Sequence, residues 1–288
     1  MSRPPGPLSY DGETMPIEAF RQLDRLPGFK YEYVDGRAHI SVHESASAVV
    51  VTRPSVLRER CDSMLLPRDT ILQPASDSNV EELAAAWVDA FHDAADYHGY
   101  PVEAIREDIQ SECTRLCAVE DGDLHPASVV ALRNDLVVGA FLVTRRWARP
   151  FIATVFVDRT LRRHGVASVM AGRVAQEMES SGDQVIGSDY LLANRGSGAW
   201  HAAVGFVEIP SWLLVRHRYQ CALHNLRWGR PRDIFGARQH VRWLREHANQ
   251  LESAVRDDPE GGAPSLWFKR DGERVDQFVH RHVSNGPA

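Results

Sequence analysis

Hydrophobic and polar positions change period several times along the chain, and the changes divide it. Phe29–Val42 ("FKYEYVDGRAHISV") alternates on both sides of Asp35-Gly36, which predicts a β-hairpin. Residues 43–66 show no clear pattern and read as a connection. From Thr70 the periods sharpen. "TILQPAS" predicts a short strand, and Ser78-x-x-Glu81 reads as a capping box. Val80, Leu83, Trp87 and Phe91 then recur at helical spacing. "HDAADYHGYP" is a loop, and Val102–Cys117 a second helix. "SVVALRNDLVVGAFLV" gives two β-runs around Asn134-Asp135, and "PFIATVFV" gives a third. Val166, Val169, Met170, Val174 and Met178 mark one face of a further helix. "QVIGSDYLL" predicts a strand, Gly198–Val204 a short helix, and "FVEIPSWLLVRHRYQCAL" a closing β-segment.

The predicted order is β-α-α-β-β-β-α-β-α-β, an α/β (α+β) domain in which helices flank one sheet. We expect it to occupy residues 67–223. Residues 1–66 would be an N-terminal extension with the hairpin and a Pro/Gly/Ser-rich, unstructured start. Residues 224–288 would be a C-terminal extension. There Val241, Leu244, Ala248, Leu251 and Val255 predict a helix, and "SLWFKRDGERVDQFVH" a second Asp-Gly hairpin. The apolar stripe of that helix has to cover either this domain or a second copy of the chain, as in a homodimer.

Composition narrows the function classes. With 43% hydrophobic and 25% charged residues, the 288-residue chain is ordinary for a globular protein. A net charge of −6 gives no reason to expect nucleic acid or an anionic membrane as partner. Lysine occurs only at Lys30 and Lys269, so all but two of the 33 basic residues are arginine. Cys61, Cys113, Cys117 and Cys221 form neither a CxxC pair nor a disulfide framework. No leader pattern and no apolar run of about 18 residues occurs. These features imply a reducing, cytoplasmic setting. His217, Cys221 and His224 would not share one face of a strand, so no metal site is expected.

The chemistry concentrates in "VFVDRTLRRHGVASVM" (155–170), where a β-run breaks into a basic glycine turn that opens a helix. Such a turn aims backbone N–H groups and the positive end of the helix dipole at one spot, as a phosphate requires. It is followed by "NRGSGAWHAAVGF" (194–206).

In these residues the sequence resembles the GNAT superfamily of acyl-CoA-dependent N-acyltransferases. The family carries a strand ending in Val, a Gln/Arg-x-x-Gly-x-Gly/Ala turn and a long helix. The matching residues are Val157 and then Arg162-Arg163-His164-Gly165-Val166-Ala167. Its second motif is matched by Asn194, Ser197, Trp200, His201, Gly205 and Phe206, and its hairpin Val-Gly by Val138-Gly139. The resemblance spans roughly residues 70–223 and implies a mostly antiparallel sheet with a splayed central strand pair. It also implies acetyl-CoA, or another short acyl-CoA, as co-substrate, with no metal.

In that reading Arg162, Arg163, His164, Gly165, Val166, Ala167 and Ser168 cradle the pyrophosphate. The strand end Val155, Phe156 and Val157 holds pantetheine and polarises the thioester carbonyl. Asn194 and Ser197 would contact the cofactor arm. His201 stands where the family has tyrosine or histidine, and would protonate the departing thiolate. An imidazolium near pKa ~6.5 is a stronger acid than a thiol near ~8.5, so that transfer runs downhill. No general base stands out; Asp158, Asp189 and Asp96 are candidates by chain position. Asp89, Asp93, Asp96, Glu103, Glu107 and Asp108 make the first helical region acidic, which suits either a cationic acceptor or a solvated face.

The expected activity is transfer of an acetyl group to a primary amine of a small molecule or peptide, by direct attack on the thioester. The alternative is a non-catalytic acyl-CoA-binding scaffold or sensor. "EYVDGR" in the first hairpin faintly resembles the opening of a nuclease-like family, but no Asp…Glu-x-Lys constellation follows it.

Overall fold

The structure is a computed structural model. It describes residues 7–209, apart from 24, 27, 43–45, 93, 95–96, 98–99, 119–122 and 147–148, together with 214, 217–218, 221 and 224. The C-terminal helix and hairpin expected beyond 224 lie outside the described residues. Two compact units emerge. One comprises Val49–Asp189 and Ala199–Glu208, and the other the described residues of Met1–Ala48, Tyr190–Gly198 and Ile209–Leu266.

The larger unit is built on a mixed sheet of seven strands. In chain order these are β3 (Ser47–Thr52), β4 (Thr70–Pro74), β5 (Val129–Arg133), β6 (Leu136–Arg146), β7 (Arg149–Val157), β8 (Ile186–Leu191) and β9 (Val207–Glu208). Their order across the sheet is β4-β5-β6-β7-β8-β3-β9. β4 to β7 run antiparallel as a meander, and β7 pairs parallel with β8. Asn134 and Asp135, with φ of 50° and 63°, supply the two left-handed residues that a tight β5–β6 turn needs.

Helices cover the sheet. α3 (Val80–Phe91) and α4 (Val102–Cys117) bury Leu83, Ala84, Trp87, Ile105, Ile109 and Leu116 with Val130, Ala140, Leu142 and Phe156 of the sheet. Trp87 stacks on Phe156, ring centroids 6.1 Å apart. α5 (Val166–Ser180) turns Val166, Met170, Val174 and Met178 inward, the periodic positions of the sequence. Such crossover helices are what a parallel strand pair like β7–β8 requires. α6 (Arg195–Ala203) follows β8. Among the described residues no helix is long and apolar enough to cross a membrane.

The structure corrects the sequence reading at three places. The unpatterned 43–66 connection contains β3 and α2 (Pro54–Cys61), and from Val49 onward it belongs to the sheet unit. β3 is buried from Ala48 to Thr52, so its apolar run has no alternation to reveal a strand. α2 buries only Pro54, Leu57 and Cys61, packing at Gly172 of α5, too short a stripe to register as a period. The N-cap of α3 is Asn79 rather than Ser78, with Asn79 Oδ1 accepting from Glu81 N–H (2.8 Å) and Glu82 N–H (3.2 Å). The closing β-segment ends at Glu208, and the described residues beyond Ile209 (Leu214, His217, Arg218, Cys221 and His224) are helical.

In the smaller unit β1 (Phe29–Val34) and β2 (Arg37–Val42) form the expected hairpin about Asp35-Gly36. α1 (Ile17–Arg21) precedes it. His217, Cys221 and His224 are each helical rather than in the strand expected. His217 Nε2 accepts from Gly28 N–H (2.7 Å), and His224 Nε2 lies 2.9 Å from Arg21 O. These ring nitrogens tie His217 and His224 to the α1–β1 segment. Among the described residues no group of three ligating side chains is placed to hold a metal.

Candidate active site

β7 hydrogen-bonds to β6 along its length, from Arg146↔Arg149 to Gly139↔Val157. To β8 it pairs only at Phe151↔Gly187. Beyond Phe151 the two parallel strands diverge, and a fork opens between them. The register of β6 and β7 shifts between Leu142 and Val143, so Ala153 has no partner. A bulge there bends and twists β7 just past its last contact with β8, which accounts for the divergence. The strand end therefore has one neighbour, and Val155, Phe156 and Val157 line one side of the fork. Gly139 permits the close fit on the other side of β7, since a Cβ there would meet Phe156 O at 2.9 Å and Met170 Cε at 3.4 Å.

The chain leaves β7 through a tightly held turn. Asp158 N–H donates to Val138 O (2.7 Å), and Asp158 Oδ1 accepts from Thr160 N–H (2.8 Å). The hydroxyl and amide of Thr160, followed by Arg162 and Arg159, hold the Asp158 carboxyl below the usual range. Arg162 acts as a staple. Its Nε donates to Val157 O (3.3 Å) and its Nη2 to Ala90 O (2.5 Å), joining the end of β7 to the end of α3. That guanidinium serves carbonyls of this chain, whereas Arg163 and His164 are exposed beside the turn.

Arg163 and Gly165 both adopt left-handed backbone, φ 66° and 81°. Gly165 is the N-cap of α5, and no side chain caps the helix. The first intrahelical bond is Val169 N–H to Gly165 O (2.9 Å), so among the described residues the N–H groups of Val166, Ala167 and Ser168 meet no acceptor. α3 differs, because Asn79 closes its N-terminus. Open amides, the positive end of a helix of fifteen residues and no acidic side chain in its first turn are features that favour an anion, and they lie at the end of the strand that lines the fork. Neighbouring atoms do not enforce glycine here: a Cβ on Gly165 would meet Met64 Sδ at 3.6 Å, Met64 Cβ at 3.8 Å and Leu65 O at 4.0 Å, all ordinary contacts. The positive φ, and room for a ligand against the backbone, are what require it.

His201 lies on α6, 4% exposed. Its Nε2 is 2.9 Å from Ser188 Oγ on β8, and its ring meets those of Trp200 and Phe206 edge-on, at 4.9 and 5.1 Å. The imidazole is thus enclosed and held to β8. Trp200 reaches the other side, its ring 6.1 Å from Phe141, the residue opposite Val155. Sequence reasoning noted Trp200 as a motif position and assigned it no role.

Asn194 and Ser197 fall in the smaller unit. Asn194 Oδ1 accepts from Ser197 N–H (3.1 Å) and Asn194 O from Gly198 N–H (3.1 Å), so Asn194 caps α6. Of the base candidates, Asp158 is the cap just described and Asp189 pairs with Arg146 (3.1 Å). Asp96 lies outside the described residues, as does Asp93. Asp89, Glu103, Glu107 and Asp108 are exposed.

Residues 82–206 match the acetyltransferase (GNAT) family. No functionally curated protein matches the sequence significantly. Among solved structures, a conserved protein of unknown function from Staphylococcus epidermidis is 14% identical, with a TM-score of 0.43 and 57% of each chain covered. An aminoglycoside N-acetyltransferase in complex with CoA is 20% identical, with a TM-score of 0.38, 51% of this chain and 94% of that one being covered. A tandem GNAT protein from the clavulanic acid biosynthesis pathway is 15% identical, with a TM-score of 0.40, over 56% of this chain and 50% of that one.

Proposed function

From the GNAT acetyltransferase domain at residues 82–206, we propose that the protein transfers an acetyl or other short acyl group from acyl-CoA to a primary amine. The observation that carries the reading is the continuity of fork and cradle. β7 leaves β8 after Phe151, ends at Val157, and leads within one turn to the uncapped amides of Val166, Ala167 and Ser168. A ligand with an extended arm and a pyrophosphate fits this order. The arm lies along the strand end, and the phosphates lie on the helix end beside Arg163 and His164. Bound there, acyl-CoA would present its thioester carbonyl where a β7 backbone N–H can polarise it, and the amine attacks that carbon directly, forming the amide and releasing CoA thiol.

A calorimetric titration of the full chain with acetyl-CoA and CoA tests the binding half, and an amine screen with thiol detection tests the transfer half. Binding in the micromolar range and amine-dependent release of CoA thiol are expected. A folded protein that binds neither nucleotide would overturn the reading.

A second reading, a non-catalytic acyl-CoA-binding domain, is favoured by the enclosure of His201. At 4% exposure, with Nε2 2.9 Å from Ser188 Oγ, its imidazole is shut away from solvent, which disfavours a role in proton delivery. Under that reading CoA binds but no amine accelerates thiol release. The proposed acceptor is a small-molecule or peptide amine, the proposed setting cytoplasmic, and no metal takes part.

A further inference from the structure

A buried N–H group almost always meets an acceptor in a folded protein, so one that does not calls for an explanation, a missing ligand among them. Trp200 Nε1 is such a group, buried and without a hydrogen-bond partner among the described residues. Thr70 Oγ1 and Asp183 Oδ2 are in the same condition, but Thr70 opens the edge strand β4 and Asp183 Oδ2 faces His125 Nε2 at 3.4 Å. Trp200 alone of these three stands at the fork. Its ring packs 6.1 Å from Phe141, across the ladder from Val155, while the next residue, His201, is bonded to Ser188 on β8. The Trp200–His201 pair therefore places one side chain against β6 and the other on β8, the two neighbours of β7 in the sheet. Among the described residues the ring neighbours of Trp200, namely Phe141, Phe206 and His201, offer its N–H no acceptor.

An indole N–H only donates, so it is neither acid nor base here. The fork, on the reading proposed above, receives an acyl-pantetheine arm, whose acceptors are two amide carbonyls and the thioester carbonyl. We propose that Trp200 Nε1–H donates a hydrogen bond to a carbonyl oxygen of that arm, making Trp200 a positioning residue for the acyl donor. The inference rests on the acyl-CoA reading. It explains why a donor is left open inside an aromatic cluster, since the ring fills the space while the N–H is satisfied on binding.

The test uses the full chain with its seven tryptophans labelled with 15N in the indole ring. The Trp200 resonance is the one absent from Trp200→Phe, or from Trp200→Tyr should the first variant not fold. On saturation with ligand it is expected to move downfield in the proton dimension. Movement with CoA and acetyl-CoA alike assigns the acceptor to a pantetheine amide, and movement with acetyl-CoA alone to the thioester. Trp200→Phe, which keeps the apolar contacts, is expected to bind the same ligand about tenfold more weakly. CoA binding that leaves the Trp200 resonance and the variant's affinity unchanged overturns the inference while the acyl-CoA reading stands. Wild-type protein that binds neither CoA nor acetyl-CoA overturns both.

Discussion

Gly165 offers a way to separate the shape of the cradle from its electrostatics. With φ of 81° it stands in a conformation that costs an ordinary L-residue about 1–2 kcal/mol, and asparagine less. A Cβ would meet only ordinary contacts, Met64 Sδ at 3.6 Å and Met64 Cβ at 3.8 Å, so no clash adds to that cost. Gly165→Asn is therefore expected to lose about 1 kcal/mol of stability, and to weaken CoA by crowding the backbone. Gly165→Asp has almost the same shape and adds one negative charge beside the pyrophosphate. At about 4–5 Å, each charge pair contributes roughly 1 kcal/mol in bulk water and about 4 kcal/mol at an effective dielectric near 20. Aspartate should then bind CoA about ten- to a thousandfold more weakly than asparagine, at equal stability. Calorimetry with CoA at two salt concentrations and a urea titration of each variant supply the comparison. The gap should narrow at high salt. Equal CoA affinity in the two variants, with both folded, would refute the assignment of pyrophosphate to this helix end.

The remaining predictions concern other parts of the sheet unit. His201→Phe should leave CoA affinity nearly unchanged and lower amine-dependent turnover by ~10²-fold if the imidazole supplies the proton; unchanged turnover would remove that role. Arg162→Met should lower the melting temperature by releasing Val157 and Ala90, whereas Arg163→Met should mainly weaken CoA, as thermal denaturation and calorimetry on the pair will show. Burial, reinforced by Arg145 and opposed by Asp183, lowers the pKa of His125 from 6.5. The unfolded chain thus binds the proton more readily, so stability should be complete above about pH 6.5 and fall as pH drops below it. A urea midpoint that stays constant from pH 7.5 to 5, or falls equally in His125→Asn, would contradict this. Burial also pushes the Cys113 thiol up to about 12. It should resist a thiol reagent at pH 8 until the protein unfolds, and rapid labelling of the native protein would argue against a closed α3–α4 core.

Helices α3, α4 and α5 were legible because each has one buried face, and a face leaves a period, whereas the continuously buried β6 was marked by the Asn134-Asp135 turn before it. Met170, Val174 and Met178 repeat at helical spacing because the sheet lies under one side of α5. The glycine turn was legible for a different reason: a positive φ before an uncapped helix leaves little choice of residue at Gly165, and its place between strand and helix is local in the chain. β3 escaped because a strand buried on both faces has no alternation, and α2 because it buries too few residues to form a stripe. The helical residues after Ile209 were misread because a short apolar run does not distinguish strand from helix.

The candidate site divides along the same line. Spacing and the glycine turn were enough to indicate an α/β domain, and the family resemblance carried by those motifs implied the acyl-CoA reading, since both signals lie among neighbours in sequence. Only the tertiary structure decided what each side chain faces. Arg162, read as a phosphate ligand, is drawn to the carbonyls of Val157 and Ala90 because β7 and α3 end side by side. His201 is enclosed because α6 lays it against Ser188, and Trp200 keeps an unanswered N–H because its neighbours are rings. The fork itself depends on where β7 stops pairing with β8 after a bulge opposite β6. Hydrogen bonding between strands distant in sequence sets that point, and no local pattern encodes it.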